Sequence, residues 1–463
     1  MANGGIELEA KEEERRNVAK EVMEIAWPSI AEQMLVMAVG MISTIFVGRI
    51  SAAALAAVGL INMVIFFLQA VFAGLSTGVT VVVARLVGEE DIEGVKTATS
   101  QSFIMAVFLT LLFTLLGYAF DISIIKTLFG KIEPEVFEFA ILYYRIALIG
   151  FPFMVIALIL GGALRGAGDT KTPMYVSAVV NIINLILNFL LVFGVSYKGV
   201  YLIPPFGVKG AAWAVTAARV AGGIILAYLI YFGKNQAKIV VKNPFKLDFD
   251  MMKRIIRIGI PASLEQLVMQ GGFLVVQIIV STMGTTAIAV YQIGMNANSL
   301  AFMPIFGFSI AATALVGRSL GAEEFDMAEA YAKVSRNISV AVISAIGVFM
   351  FVFSKQLAAL YTTDPEVIRV SASILKIFAV VEPFLAIMVV MAGVLRAAGD
   401  ISYVVITTVV GLWLFRIVLG SFLAKNFGMD IYGIWIGVFT DFIVRSIMYI
   451  FRFRAGKWKY IKV

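Results

Sequence analysis

Pro28-Ser29-Ile30-Ala31-Glu32-Gln33 returns 233 positions later as Pro261-Ala262-Ser263-Leu264-Glu265-Gln266. Both copies sit near the start of a long apolar segment, so each places a proline and a carboxylate inside a segment that reads as membrane-spanning. Proline has no N–H. If the helix runs through it, the carbonyls of Glu24 and Arg257 lose their i→i+4 partners and the helix loosens there. A carboxylate in hydrocarbon is costly unless it faces a cavity or a partner, so it marks a functional site by default. Two such sites related by a repeat point to a transporter, with Pro28 and Pro261 as hinges.

The composition supports that class. The chain has 463 residues, 61% of them apolar and only 14% charged, with a mean hydropathy of +0.96. Apolar stretches predict twelve spanning helices, at 25–47, 53–82, 97–119, 136–163, 172–195, 209–232, 254–282, 286–316, 333–353, 366–394, 401–424 and 431–452. The first 24 residues are charged and lack an apolar core, which argues against a cleavable signal peptide. There is no Cys, which excludes disulfides and thiolate metal sites. There is no His either, so proton coupling has only carboxylates to run through.

Basic residues orient the chain. Lys11, Arg15, Arg16 and Lys20 precede the first span. The sixth connection holds Lys234, Lys238, Lys242, Lys246, Lys253, Arg254 and Arg257, and the tail adds Arg452, Arg454, Lys457, Lys459 and Lys462. The odd-numbered connections hold only Arg49, Lys126, Lys131, Lys198, Lys209, Lys355 and Lys425. This asymmetry predicts that both termini are cytoplasmic in a multi-pass cell-membrane protein. The net charge of +7 then reflects topology and anionic lipid contact; no basic face suited to nucleic acid stands out.

The repeat runs through the whole chain. Ala84-Arg85-Leu86-Val87-Gly88 matches Gly317-Arg318-Ser319-Leu320-Gly321, and Leu164-Arg165-Gly166-Ala167-Gly168-Asp169 matches Leu395-Arg396-Ala397-Ala398-Gly399-Asp400. Pro152 pairs with Pro383 as a second pair of hinges, and Arg145 with Lys376. The predicted fold is an all-α integral membrane protein of two six-helix bundles related by a pseudo-two-fold along the membrane normal. Its parts are a cytoplasmic segment 1–24, an N-lobe 25–233, a cytoplasmic linker 234–253, a C-lobe 254–454 and a tail 455–463.

Leu164-Arg165-Gly166-Ala167-Gly168-Asp169-Thr170, its second-half copy, and the stretch from Ile45-Phe46-Val47-Gly48-Arg49 to Ala56-Ala57-Val58-Gly59-Leu60 resemble the multidrug and toxic compound extrusion (MATE) family. The likeness covers essentially residues 20–454. It implies a V-shaped, twelve-helix monomer that alternates between inward- and outward-open states. It also implies export of amphipathic, often cationic compounds in exchange for H⁺ or Na⁺, without a cofactor.

Two departures from the family bear on coupling. Where many members carry an acidic residue in helix 1 the chain has Ser43, and where many carry an aspartate in helix 5 it has Asn188, within Asn184-Leu185-Ile186-Leu187-Asn188. Serine and asparagine can ligate Na⁺ but cannot exchange a proton near neutral pH. Ser43, Asn184 and Asn188 are therefore candidate Na⁺ ligands, with Asn181 and Thr216 near the stripe. Proton exchange moves to other carboxylates: Glu265 with Glu382 as the coupling pair, and Glu32 as a cation-binding group in the N-lobe. Relatives carry their helix 7 carboxylate one turn later, at the place of Met269 here.

Competing readings stand beside these. Glu32 and Glu265 could be structural, bonded to Gln33, Gln266 or backbone freed by the prolines; Gln266 is nonetheless retained as a binding candidate. Arg145 and Lys376 lie near outer helix ends, where snorkelling suffices. Asp441 and Arg445 are spaced to neutralise each other, and Arg416 is matched with Glu382 for want of a nearer partner. The two Leu-Arg-(Gly/Ala)-Ala-Gly-Asp turns lack the Lys-Ser/Thr continuation of a P-loop, which argues against intrinsic ATP-driven export. Their arginines are expected on lipid headgroups and their aspartates as caps of the next helix. Catalysis has no supporting constellation. The main alternative function is a flippase or exporter of a lipid-linked or other amphiphilic metabolite, which calls for an Arg/Lys-rich cleft, whereas the mid-helix charges read as mainly acidic. A non-transporting scaffold has no use for carboxylates at paired mid-helix prolines.

Overall fold

In hydrocarbon the backbone has no water to bond, so apolar runs of spanning length close their hydrogen bonds within the segment as helices. The computed structural model describes residues 2–130, 132–197, 200–235, 237, 239 and 247–461, and the side chains of all of these except 2–15, 200 and 300. Among the described residues, twelve helices are long and apolar enough to span a membrane. They are α1 Ala2–Gly48, α2 Ala52–Gly88, α3 Ile92–Ala119, α4 Pro134–Gly166, α5 Lys171–Phe193, α6 Gly207–Tyr231, α7 Phe249–Ser281, α8 Thr285–Gly321, α9 Phe325–Val352, α10 Pro365–Ala397, α11 Ile401–Asn426 and α12 Asp430–Arg454.

Each coincides with one predicted span, but several start earlier. α9 begins at Phe325 rather than 333, because hydropathy reads the hydrocarbon slab while the helix continues through good helix formers such as Ala328, Glu329, Ala330 and Lys333. Two elements were not foreseen. The fifth connection forms a small antiparallel pair of strands, β1 Val195–Tyr197 with β2 Val200–Ile203, within an otherwise all-α fold. Residues Val410–Leu419 of α11 form a π-helix. Of the basic residues used for orientation, Lys131, Lys198, Lys238, Lys242, Lys246 and Lys462 lie outside the described residues, as do the side chains of Lys11 and Arg15.

The chain forms two compact units. One comprises Ala31–Val83 and Ile92–Gly259; the other comprises Met1–Ile30, Ala84–Asp91 and Ile260–Val463. We refer to them as the N-terminal and C-terminal units. The C-terminal core is built on α10, whose Leu385, Val390 and Leu395 are buried, beside an aromatic cluster of Phe378, Trp435, Phe439 and Phe442. The N-terminal core gathers Tyr143, Tyr144 and Leu148 of α4 with Ile61 of α2 and Val208 of α6. Large apolar side chains such as Phe108, Leu115, Phe189, Val380 and Ile406 are exposed, as hydrocarbon-facing residues must be.

The duplication extends to individual hydrogen bonds. In the N-terminal unit Ser76 Oγ donates to Leu158 O (2.9 Å) and Thr80 Oγ1 to Gly162 O (2.9 Å). In the C-terminal unit Ser309 Oγ donates to Val389 O (3.0 Å) and Thr313 Oγ1 to Gly393 O (3.1 Å). Small residues bring the helices this close, as in other membrane helix pairs. A Cβ at Gly162 would meet Ser76 Oγ at 2.4 Å, and one at Gly393 would meet Ser309 Oγ at 2.5 Å. Gly393→Ala is therefore expected to force α8 and α10 apart and destabilise the protein by about 1–3 kcal/mol, the usual cost of overpacking. A thermal unfolding scan in detergent reads this; an unchanged transition would mean that the pair has slack.

Candidate functional site

All four predicted hinge prolines lie inside continuous helices: Pro28 in α1, Pro152 in α4, Pro261 in α7 and Pro383 in α10, with Pro304 in α8 as a fifth that the repeat did not flag.

In the C-terminal unit Glu265 is 2% exposed and receives both arms of one guanidinium: Arg396 Nε donates to Oε2 at 3.0 Å and Nη2 to Oε1 at 2.6 Å. In the N-terminal unit Glu32 is held by Arg165, whose Nη1 lies 3.3 Å from both carboxylate oxygens, and by Ser177 Oγ at 3.2 Å. The repeat thus duplicates an ion pair between helices. This corrects the expectation that Arg165 and Arg396 lie on headgroups. Each sits at the end of its helix and turns back along it, because a buried carboxylate is a stronger partner than water or lipid phosphate when both ends are desolvated. It also removes the alternative in which Gln33, Gln266 or free backbone holds the two glutamates. The signal was present in the sequence: Glu and Arg recur together, and a duplicated charge in hydrocarbon calls for a duplicated counter-charge.

The turns after Arg165 and Arg396 have Gly168 and Gly399 at φ +84° and +83°, the left-handed conformation glycine permits. Asp169 then caps α5 as expected, accepting from Thr172 N at 2.9 Å. Asp400 does not cap α11; it accepts instead from Arg452 Nε at 2.6 Å.

Beside Glu265 lies a second charged cluster. Asp441 is fully buried and accepts from Arg445 Nε (2.6 Å) and Nη2 (2.9 Å), and it also pairs with Arg416 Nη2 at 2.7 Å. The expected Asp441–Arg445 pair is present, but Arg416 joins it and does not pair with Glu382. The guanidinium of Arg416 lies over the rings of Phe273 and Phe442, 5.1 Å from each centroid. Two local features make room for the triad. Arg416 sits on the π-helical stretch, a geometry that often accompanies function. Gly411 also leaves space for Asp441 Oδ1, which would stand 2.2 Å from a Cβ there.

Glu265, Gln266, Arg396, Arg416 and Arg445 share the lining of a cavity of about 70 Å³, with Met269, Phe306 and Tyr449 among its apolar and aromatic walls. Three guanidiniums and one carboxylate line it, and the second carboxylate, Asp441, is paired to two of those guanidiniums from outside the lining. The reading of mainly acidic mid-helix charge therefore fails for this unit: sequence listing counts residues one helix at a time, and the arginines gather from α10, α11 and α12 only on folding.

Glu382 is not on this cavity. It is fully buried, and neither carboxylate oxygen has a hydrogen-bond partner among the described residues; its Oε2 would stand 3.0 Å from a Cβ on Gly347 of α9. The two carboxylates assigned to one coupling pair thus occupy different environments, one paired and one not.

The candidate Na⁺ ligands do converge. Asn184 Oδ1 accepts from Ser43 Oγ at 3.4 Å and from Asn188 Nδ2, while Asn188 Oδ1 is buried and has no partner among the described residues. Thr216 is elsewhere: it donates to Ile146 O at 2.9 Å and ties α6 to α4. Asn181 Nδ2 is buried without a partner among the described residues. Arg145 pairs with Asp121 at 2.5 Å with half its side chain exposed, and Lys376 lies over the Phe351 ring at 5.9 Å. Both are compatible with snorkelling.

A duplicated six-helix half, repeated down to its hydrogen bonds and its buried ion pair, defines a two-lobe membrane transporter rather than an enzyme. The chain belongs to the MatE family, whose model matches residues 28–190 and 261–422. It is 33% identical over 447 residues to the probable multidrug resistance protein NorM of Thermotoga maritima, covering 96% of this chain and 94% of that one. It is 27% identical over 442 residues to multidrug resistance protein MdtK of Yersinia pseudotuberculosis, covering 94% and 95%. A solved outward-facing multidrug resistance MATE family transporter of the MOP superfamily has the same fold, with a TM-score of 0.86 at 23% identity over 96% of this chain and 97% of that one.

Proposed function

We propose that this protein is a multidrug antiporter of the cell membrane, with both termini cytoplasmic. It exports amphipathic, often cationic small molecules as a monomer by alternating access, in exchange for H⁺. The relatives named as multidrug resistance proteins support the substrate class. One observation carries the coupling: Glu382, in a spanning helix immediately before Pro383, has no partner among the described residues. An ionised carboxylate so placed would be an uncompensated charge in an apolar interior, which costs several kcal/mol. A proton is the simplest means of neutralising it, and release of that proton at a hinge is a step that transport can use. Glu265 then serves as the charge with which a cationic substrate competes against Arg396.

Na⁺ coupling is the second reading, favoured by the meeting of the Ser43, Asn184 and Asn188 side chains in the N-terminal unit, with Asn188 Oδ1 buried and unpartnered among the described residues. Hard oxygen ligands of this kind suit an alkali cation. Efflux of a fluorescent organic cation from proteoliposomes under an imposed pH or Na⁺ gradient separates the two. Efflux driven by pH and abolished in Glu382→Gln is the expected result. Efflux that follows Na⁺ alone and is lost in Asn188→Ala would transfer coupling to the N-terminal unit. Glu382→Gln with full pH-driven transport would remove its assigned role.

A further inference from the structure

The charges around the C-terminal cavity do not balance. Arg396 is neutralised by Glu265, and Asp441 is shared between Arg445 and Arg416. Among the described residues one guanidinium charge remains without an anion. Arg416 is the group with spare capacity: it is 3% exposed, lines the cavity, and its Nε has no hydrogen-bond partner among the described residues. A buried net positive charge is costly, and the cost falls if an anion enters. The remaining walls include Phe273, Phe302, Phe306 and Phe442, which suit an apolar or aromatic group next to that anion. About 70 Å³ seats the oxyanion head and less than a whole benzene ring, which fills a cavity of about 150 Å³, so the rest of the ligand lies outside the cavity.

We propose that this cavity binds a singly charged oxyanion, such as the carboxylate of an aromatic amphiphile, through Arg416. The protein's substrates then include anionic or zwitterionic compounds as well as cations. The proposal rests on reading this cavity as a substrate site. It does not depend on which ion drives transport, so it is tested by equilibrium binding without any gradient.

The probes are benzoate and benzamide, which have nearly the same shape and differ in charge, titrated into the purified full-length protein by thermal shift and isothermal calorimetry. Benzoate is expected to bind saturably and benzamide at least about tenfold more weakly, the loss of a charge-assisted contact. Arg416→Met, which leaves the Asp441–Arg445 pair intact, is expected to lose the preference. Glu265→Gln removes a negative charge and is expected to tighten benzoate binding, so the two variants move in opposite directions and misfolding of one cannot mimic the result. Repeating the titration in nanodiscs with and without phosphatidylglycerol identifies the source: competition by this lipid assigns the site to a lipid head group, and its absence assigns the site to soluble anions. Equal binding of benzoate and benzamide, or unchanged benzoate affinity in Arg416→Met, would overturn the proposal.

Discussion

Asp441→Asn is expected to be the most damaging single substitution in this protein. Asp441 is fully buried and, among the described residues, is the only carboxylate paired with both Arg416 and Arg445. Removing one partner of a buried ion pair costs about 3–5 kcal/mol, because the other charge is left in a low dielectric without compensation. Two guanidiniums lose their partner here. Asparagine keeps the volume and one acceptor oxygen, so packing is nearly conserved and the loss isolates the charge. The expected result is failure to recover monodisperse protein after detergent extraction, or a melting transition lowered by much more than in Gly393→Ala. Arg416→Met in the same background should recover part of the loss by removing one of the stranded charges. A near-normal transition for Asp441→Asn alone would mean that water or lipid reaches the triad.

The second large effect is an asymmetry across the Glu265–Arg396 pair. Arg396→Ala takes both hydrogen-bond donors from a carboxylate that is 2% exposed, with Arg416 and Arg445 still on the same cavity, whereas Glu265→Gln leaves an arginine whose side chain is 18% exposed. Arg396→Ala is therefore expected to cost about 3 kcal/mol, and Glu265→Gln distinctly less. The double variant should be more stable than Arg396→Ala alone, since the stranded charge is gone. The N-terminal copy provides an internal comparison. Its Arg165–Glu32 contact is longer, at 3.3 Å, and Ser177 supplies a second donor to Glu32, so Arg165→Ala should cost less than Arg396→Ala. Thermal scans of the four variants, with the double variant, test this. Equal losses in the two units would contradict the ranking.

The two ion pairs also show why some functional residues were legible in the sequence and others were not. Glu32 and Glu265 stand out because a carboxylate in an apolar run is rare, and rarity is visible one residue at a time. Arg165 and Arg396 sit at helix ends among glycines, where a basic residue looks ordinary; only their distance to a glutamate on another helix distinguishes them. Glu382 and Arg416 were matched because each lacked a near neighbour, but the fold gives Arg416 to Asp441 and leaves Glu382 alone. The asparagine stripe was read from i, i+4 spacing on one helix, and Ser43 of α1 does come to meet it. Thr216 was added to that stripe on residue type alone, and its hydroxyl is instead used on a carbonyl of α4.

The sequence by itself determined the twelve spans, the duplication and the family, because the hydrophobic effect and the need to close backbone hydrogen bonds in lipid act on contiguous segments. Which charges meet was decided only by tertiary structure. A salt bridge between helices depends on crossing geometry, on glycines such as Gly411 that admit a side chain, and on a π-helical stretch that sets the direction of Arg416; none of these has a one-dimensional period. The balance of three guanidiniums against two carboxylates around one cavity is a property of that arrangement, and it appears only once α7, α10, α11 and α12 are packed together.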